Sequence, residues 1–157
     1  MIKKSIKIAM LIAVLFISGA ANAQMQRVSL FGTCSIEMQS GMSVRNLGQY
    51  DKMYYNSDET LAIRILREES KSFQNLTSYV STVHNLTKSA NNSVSYSKRG
   101  NITINNLFAI LYYYSGNGTN GSVAYIDAGK YYYQVLVVHT PIHTNLADKI
   151  IYSFKTN

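Results

Sequence analysis

Short runs of hydrophobic and aromatic residues dominate the chain between residues 107 and 138, where they are separated by glycine, asparagine and aspartate. The runs read LFAILYYY, VAYI and KYYYQVLVV. Aromatic and β-branched residues in such runs, with turn-forming residues between them, are typical of consecutive antiparallel strands. The pattern therefore predicts strands at 107–114, 123–126 and 130–138, with a hairpin across Asp127, Ala128 and Gly129.

Other strands are predicted on both sides of this stretch. Thr60–Leu66 alternates apolar and partly polar residues, which is the pattern of a strand with one buried face. Two glycine- and asparagine-containing segments, Lys98–Asn101 and Ser115–Ser122, are predicted to be a turn and a flexible hairpin loop. The remaining predicted strands are Thr33–Met38, Asp51–Asn56, and one short strand on each side of the turn at Lys98–Asn101.

Two segments change to the period of a helix. Between Ser72 and Lys88 apolar residues recur at steps of three and four, and Ser70 or Ser72 is a candidate N-cap. The apolar stripe consists of Phe73, Leu76, Val80 and Val83, flanked by Tyr79 and Leu86. A shorter amphipathic helix closes the chain, with Thr144 as its candidate N-cap. The order of the predicted elements is strands, helix, strands, helix, which predicts an α+β fold. In this fold an antiparallel sheet carries the mid-chain helix and the C-terminal helix in an α/β/α sandwich-like arrangement.

This order of elements resembles the PsbP-like family, which includes bacterial DcrB-type envelope proteins. The resemblance covers nearly the whole chain after residue 23. It rests on the segments CSIEMQSGM, DKMYYN, TLAIRIL, SFQNLTSYVSTV, INNLFAILYYY and VAYIDAGKYYYQVLVV, and on the closing Ile151-Tyr152-Ser153-Phe154. It implies an antiparallel sheet between helices and a role in binding or assembly rather than catalysis, and it supplies no catalytic residues.

The N-terminus has the three zones of a secretory signal peptide. Lys3, Lys4 and Lys7 precede an apolar run at Ile8–Ile17, and small residues follow, ending at Ala21-Asn22-Ala23. The apolar run is short for a membrane span, so we expect cleavage after Ala23 and no permanent membrane anchor. The sequence thus predicts a signal peptide at 1–23 and one periplasmic or secreted domain at 24–157.

Charge and cysteine content narrow the class of protein. The whole chain carries a net charge of +7, but removal of the three signal lysines leaves twelve basic residues against eight acids, a net charge of +4. The excess of basic residues is small and scattered along the sequence, and the protein is predicted to be exported. Both features argue against nucleic-acid binding. Cys34 is the only cysteine, so the chain forms no internal disulfide, and its apolar surroundings favour a buried side chain.

No motif for catalysis, metal binding or cofactor binding emerges. His139 and His143 are separated by Pro141, and a zinc site needs at least a third ligand, which His84 would supply only through folding. There is no nucleophile elbow of the G-x-S-x-G type. The sequence therefore predicts no catalytic, cofactor or metal residues, with a small hydrolase that uses His139, His143 and Asp127 as the least favoured alternative.

The tyrosine triplets offer the best candidate for a contact surface. They are predicted on neighbouring strands, where alternation would place several rings on one sheet face. Packing beneath a helix is the competing interpretation. The candidate residues are Tyr112, Tyr113, Tyr114, Tyr131, Tyr132 and Tyr133. The predicted function is an exported, non-catalytic binding or assembly protein of the bacterial envelope with a protein or other envelope partner; the alternative is a periplasmic immunity-type protein that neutralises a toxin.

Overall fold

The chain folds around a seven-stranded antiparallel sheet in the computed structural model, which describes residues 24–116 and 118–157. The predicted signal peptide lies outside the described residues. The strands are β1 (Met25–Leu30), β2 (Cys34–Gln39), β3 (Ser43–Gly48), β4 (Asp51–Tyr55), β5 (Leu61–Glu69), β6 (Ser95–Ile104), β7 (Leu107–Gly116), β8 (Thr119–Asp127), β9 (Tyr131–His139) and β10 (Lys155–Thr156). The helices are α1 (Leu76–Ala90) and α2 (Thr144–Tyr152), and short 3-10 helices lie at Ser70–Ser72 and Pro141–His143.

The elements form layers on both faces of the large sheet, whose strand order is β3-β4-β5-β9-β8-β7-β6. Helix α1 packs on one face. Helix α2 and a small sheet of order β1-β2-β10 cover the other face. This arrangement confirms the predicted α+β class and the placement of two helices against an antiparallel sheet. No helix among the described residues is long and apolar enough to cross a membrane.

The main core lies between the large sheet and the layer made by α2 and the small sheet. Alternate residues of β5 and β9, such as Ile63 and Val135, are fully buried there because a strand points every second side chain to the same face. Phe154, just after α2, contacts the ring of Tyr133 at a centroid distance of 4.9 Å. Cys34 is free and fully buried in this core, which confirms the expectation for the single cysteine.

A second, aromatic core fills the space under α1. The helix buries Leu76, Tyr79 and Val80 against sheet residues that include Tyr125 and Tyr132. The predicted apolar stripe is confirmed for Leu76, Val80 and Val83, and Phe73 packs against the same core from outside the helix. Leu86, predicted to flank the stripe, is 67% exposed.

Both predicted helix caps are wrong. Helix α1 begins later than predicted, after Asn75, whose side chain accepts a hydrogen bond from the backbone N–H of Ser78 at 2.9 Å. Ser70 and Ser72 instead form the preceding 3-10 helix. Helix α2 begins at Thr144, so Thr144 is inside the helix, and the residue before it makes no side-chain capping bond.

Two predicted breaks in the sheet are also wrong. Lys98–Asn101 is not a turn, because β6 continues through it with a shift in register between Lys98 and Gly100. Ser115–Ser122 is not a long loop, because β7 and β8 pair as far as Gly116 and Thr119. Glycine and asparagine suit bulges and tight hairpin turns as well as loops, and the sheet provides pairing partners that the local sequence does not reveal.

The predicted hairpin between β8 and β9 is confirmed. Gly129 has a positive φ of 77°, which glycine adopts without strain, and its N–H donates to the Asp127 carboxylate at 2.9 Å. The strands predicted at 33–38, 51–56, 60–66, 107–114, 123–126 and 130–138 are present with shifted ends. Strands β1, β3 and β10 were not predicted.

Candidate ligand-binding cleft

A cleft of about 420 Å³ opens at the end of the sheet that carries the β7–β8 hairpin, on the face covered by α2. Its size is that of a small-molecule site, although such sites are usually lined by apolar side chains. Most of the residues that line this cleft nevertheless carry a side chain that can form hydrogen bonds. The lining residues are Arg99, Tyr113, Tyr114, Ser115, Asn120, Gly121, Ser122, His139 and Asp148.

Arg99 lies at the bulge in β6. The register shift between Lys98 and Gly100 leaves Arg99 without a paired residue on β7, and bulges of this kind redirect side chains. The guanidinium donates to both carboxylate oxygens of Asp148 on α2, at 2.7 and 3.0 Å. It also donates to the buried Ser122 hydroxyl at 3.3 Å. Arg99 thus ties the edge of the sheet to the helix beside the cleft.

The charges of Arg99 and Asp148 in the cleft lining compensate each other. The hydrogen bonds that Arg99 donates to Asp148 raise the pKa of Arg99, so the guanidinium stays charged. Because both oxygens of Asp148 accept guanidinium N–H groups, they are committed to the ion pair. A ligand with a full charge of either sign would have to compete with this pair, whereas a neutral polar ligand would not.

Tyr113 supplies an exposed ring at the rim. The Arg99 guanidinium lies 4.6 Å from the centre of this ring, and the tyrosine is 55% exposed. A cation over one side of an aromatic ring holds the ring in place. Tyr113 therefore presents a fixed, amphipathic surface to anything that enters the cleft.

His139 stands at the boundary between this cleft and a smaller one. Its Nδ1 lies 2.8 Å from the Thr140 carbonyl oxygen. A carbonyl oxygen only accepts hydrogen bonds, so Nδ1 carries the proton and Nε2 is the acceptor in the neutral ring. His139 and Asn120 line both clefts, and together they offer acceptor and donor groups at this boundary.

The smaller cleft measures about 130 Å³ and has a chain of hydrogen bonds near it. The Thr60 hydroxyl donates to Asp58 at 2.7 Å, and it lies 3.1 Å from Nε2 of His143. His143 is only 7% exposed, and burial lowers its pKa. These hydrogen bonds hold the turn before β5 against the 3-10 helix at Pro141–His143.

The histidines and Asp127 do not form the catalytic group considered for a hydrolase. His139 pairs with Asn120 and Asp127 pairs with Tyr132, seven residues further along β8, which is about 24 Å. His84 lies on the other face of the sheet, under α1. Within 24–116 and 118–157, no three histidine, cysteine or acidic residues are grouped as a metal site requires. Burial raises the pKa of the Cys34 thiol to about 11, so it is a poor nucleophile.

The six candidate tyrosines do not form one surface. Strand β8 separates β7 from β9, so the triplets are not on neighbouring strands, and they lie toward opposite ends of the sheet. Tyr113 and Tyr114 line the cleft, and Tyr112 packs under α1. Tyr132 and Tyr133 are buried and leave no ring surface for a partner, while Tyr131 is half-buried at the far end.

Sequence reasoning missed Arg99, Asn120 and Asp148 as members of a site. A glycine inside a strand pattern often marks a bulge, so Gly100 was a signal that Arg99 has an unusual orientation. Nothing local connects Arg99 with Asp148, which lies 49 residues away. Only the packing of α2 on the sheet brings the two together.

Comparisons with known proteins identify the fold. The sequence matches no protein-family model and no curated protein. The solution structure of cyanobacterial PsbP from Synechocystis has a TM-score of 0.66 at 11% identity, over 86% of this chain and 94% of that one. A protein of unknown function from Pseudomonas aeruginosa reaches 0.48 at 16% identity, over 83% and 95%. A Bacteroides thetaiotaomicron protein reaches 0.46 at 13% identity, over 79% and 45%. The chain therefore has a PsbP-like fold, as its order of elements predicts.

Proposed function

We propose that the protein is an exported binding protein of the bacterial envelope that holds a neutral polar ligand in the cleft beside Tyr113. The observation that carries the proposal is the compensated ion pair of Arg99 and Asp148 in the lining of a cleft whose other residues mostly carry hydrogen-bonding side chains. Its charges are already satisfied, while its neutral donors and acceptors remain available to a ligand.

A sugar residue fits this chemistry well. Sugars have hydroxyl groups around the ring and a less polar face, and the exposed Tyr113 ring suits that face. Asn120 supplies both a donor and an acceptor, and His139 supplies an acceptor through Nε2 in its neutral form. We therefore place neutral saccharides first and neutral peptide segments second as ligands.

The same arrangement supports a role in binding a saccharide rather than in hydrolysing it. Asp148 is the single carboxylate among the lining residues, and Arg99 occupies both of its oxygens. Glycoside hydrolysis commonly uses two carboxyl groups with separate roles, and this cleft offers one that is already engaged. The immunity-type alternative stays a prediction, because no contact in the structure favours it.

The ligand proposal is tested by nuclear magnetic resonance titration of the labelled protein with neutral disaccharides, N-acetylhexosamines among them. We expect saturable shifts at the amides of Tyr113, Asn120, Ser122 and His139. Asn120→Ala should weaken binding about tenfold, since one good hydrogen bond contributes about 1.4 kcal/mol. Leu86→Ala, on the exposed side of α1, is the matched control and should bind normally.

Two outcomes contradict the proposal. Shifts that map to residues away from the cleft would place the site elsewhere. An absence of shifts with both disaccharides and short neutral peptides would remove the cleft as a neutral-ligand site. Shifts at the cleft with peptides alone would keep the binding role and replace the ligand class.

Export is tested separately, by mass spectrometry of the protein recovered from fractionated cells. A polypeptide that begins at Gln24 in the periplasmic or culture fraction is the expected result. An intact N-terminus in the cytoplasmic fraction would contradict the proposed location.

A further inference from the structure

Cations and aromatic rings alternate at the end of the sheet opposite the cleft. We call this surface the basic–aromatic end. It is formed by Phe31, Tyr50, Lys52, Arg67, Lys130 and Tyr131. Three of its members lie in turns: Phe31 between β1 and β2, Tyr50 between β3 and β4, and Lys130 between β8 and β9. The turns meet around Arg67 near the end of β5.

Arg67 is the centre of this surface. Its guanidinium carbon lies 3.8 Å from the ring centre of Tyr50 and 4.1 Å from that of Tyr131, so two rings enclose it. It donates to neutral partners, the Thr33 hydroxyl at 3.2 Å and the Phe31 carbonyl at 3.4 Å. Arg67 is 8% exposed, which is unusual for a cation without a carboxylate partner.

The positive charge of this end is not neutralised within the described part of the chain. No ion pair joins a carboxylate to Arg67, Lys52 or Lys130 there. The neighbouring acid Glu69 is paired with Lys71 at 2.7 Å, and Lys130 and Arg67 act on its carboxylate only from beyond ion-pair distance. The rings stabilise the buried guanidinium through their electron-rich faces without cancelling its charge. The field of three cations therefore extends to the surface.

We propose that the basic–aromatic end docks peripherally on an anionic phospholipid surface. Lysines attract anionic headgroups, and tyrosine rings favour the headgroup region of a bilayer, where one part of the ring is apolar and the hydroxyl is wet. Tyr50 is 38% exposed, and the Lys130 side of the surface is also exposed. The three turns lie at this one end of the molecule, which is the side that docking would turn toward the headgroups.

This role is independent of ligand binding. Strand β5 runs from Leu61, which pairs with His139 at the cleft end, to Glu69, which pairs with Tyr131 at the basic–aromatic end, about 27 Å away. Docking through one end would leave the cleft accessible at the other. Failure of either proposal can therefore be recognised without reference to the other.

The test is co-sedimentation with vesicles, using protein recovered from cells that express the full chain. We expect binding to vesicles of phosphatidylcholine mixed with phosphatidylglycerol, little binding to pure phosphatidylcholine, and weakening by salt. The double variant Lys52→Gln/Lys130→Gln should bind about 30-fold more weakly, the change expected for two lysines at an anionic surface. The matched control Lys88→Gln/Lys98→Gln removes the same charge at the other end and should bind like the parent.

A reporter variant checks which end touches the vesicle. The chain has no tryptophan, so Tyr50→Trp and Tyr113→Trp each introduce a single tryptophan, whose emission can be excited apart from that of the tyrosines. The emission of the first should move to shorter wavelength when anionic vesicles are added, and that of the second should not. Both variants are compared with the parent in thermal unfolding, so that a folding defect is recognised.

Three results would overturn the proposal. The parent fails to bind anionic vesicles even at low salt, or the control pair weakens binding as much as the Lys52 and Lys130 pair, or Tyr113→Trp responds instead of Tyr50→Trp. If vesicles are not bound but immobilised polyglutamate captures the parent through the same two lysines, the partner is an acidic polypeptide and the membrane proposal is wrong.

Discussion

We predict that His84 makes the protein sensitive to acid, because of its contacts under α1. Its ring stacks on Tyr96, with centroids 3.7 Å apart and planes inclined by 8°. Its Nε2 lies 2.9 Å from the hydroxyl of Tyr125, which is fully buried. Burial lowers the pKa of His84 from 6.5 to about 4, because the aromatic surroundings disfavour an imidazolium.

The sign and size of the effect follow from the two states. As pH falls below 6.5, the unfolded chain takes up a proton on His84, while the folded protein resists protonation until about pH 4. The unfolded state therefore binds more protons in this window, and the free energy of unfolding decreases as pH falls. Taken in full, the drop in pKa would lower the free energy of unfolding by about 3 kcal/mol. Because His84 is partly accessible to solvent, we expect a decrease of about 1–2 kcal/mol.

The assay is urea unfolding followed by circular dichroism, from above pH 6.5 down to about pH 4. We compare the parent with His84→Gln, which has no group that titrates at this position. Across this pH range, the free energy of unfolding of the parent should fall by about 1–2 kcal/mol more than that of the variant. His143, whose pKa burial also lowers, is present in both proteins, so its contribution cancels in the difference.

A difference between parent and His84→Gln that stays constant with pH would refute the reasoning. A difference that grows in favour of the parent at acid pH would show that the sign is wrong. Leu86→Gln, at an exposed position on the same helix, controls for general effects of substitution in α1.

Three further predictions concern the packing of the described residues. Gly121→Ala should destabilise the fold by about 1–3 kcal/mol in urea unfolding, because its added methyl group would meet a carbonyl oxygen of β9, whereas Gly48→Ala, with only an ordinary contact, should change stability little. Phe154→Ala should cost about 3–5 kcal/mol in the same measurement because it empties a fully buried site; Tyr152→Ala, at a side chain that is 46% exposed, should cost much less. Cys34 should react with an aromatic disulfide reagent only after unfolding, and rapid reaction of the native protein would contradict its burial.

The parts of the fold that the sequence predicts are those with a strong local pattern. Strand β5 alternates buried and half-buried residues along its length, and its period is visible in the sequence. Strand β3 is exposed at every position, so there is no alternation to detect. The bulge at Lys98–Gly100 contains residues that also form turns, and only pairing with β7 shows that the strand continues.

The candidate site is less predictable because its members come from distant parts of the chain. Arg99 and Asp148 belong to different elements, and no sequence motif around either residue predicts their contact. Of the six tyrosines predicted as a contact surface, Tyr113 and Tyr114 line the cleft, whereas Tyr132 and Tyr133 are buried. A triplet on a strand must divide between the two faces, and the helices that cover those faces decide which rings reach solvent.

Tyr113 and Tyr133 show how the same residue type acquires different roles. Tyr113 points to the α2 face beyond the region that the helix covers, and it is 55% exposed. Tyr133 points to the same face under Phe154, is fully buried, and its hydroxyl lies 2.7 Å from the Thr33 hydroxyl. The difference arises from where the covering layer ends, not from the strand sequence. Both surfaces that we propose for binding therefore lie at the ends of the sheet, where that layer leaves side chains uncovered.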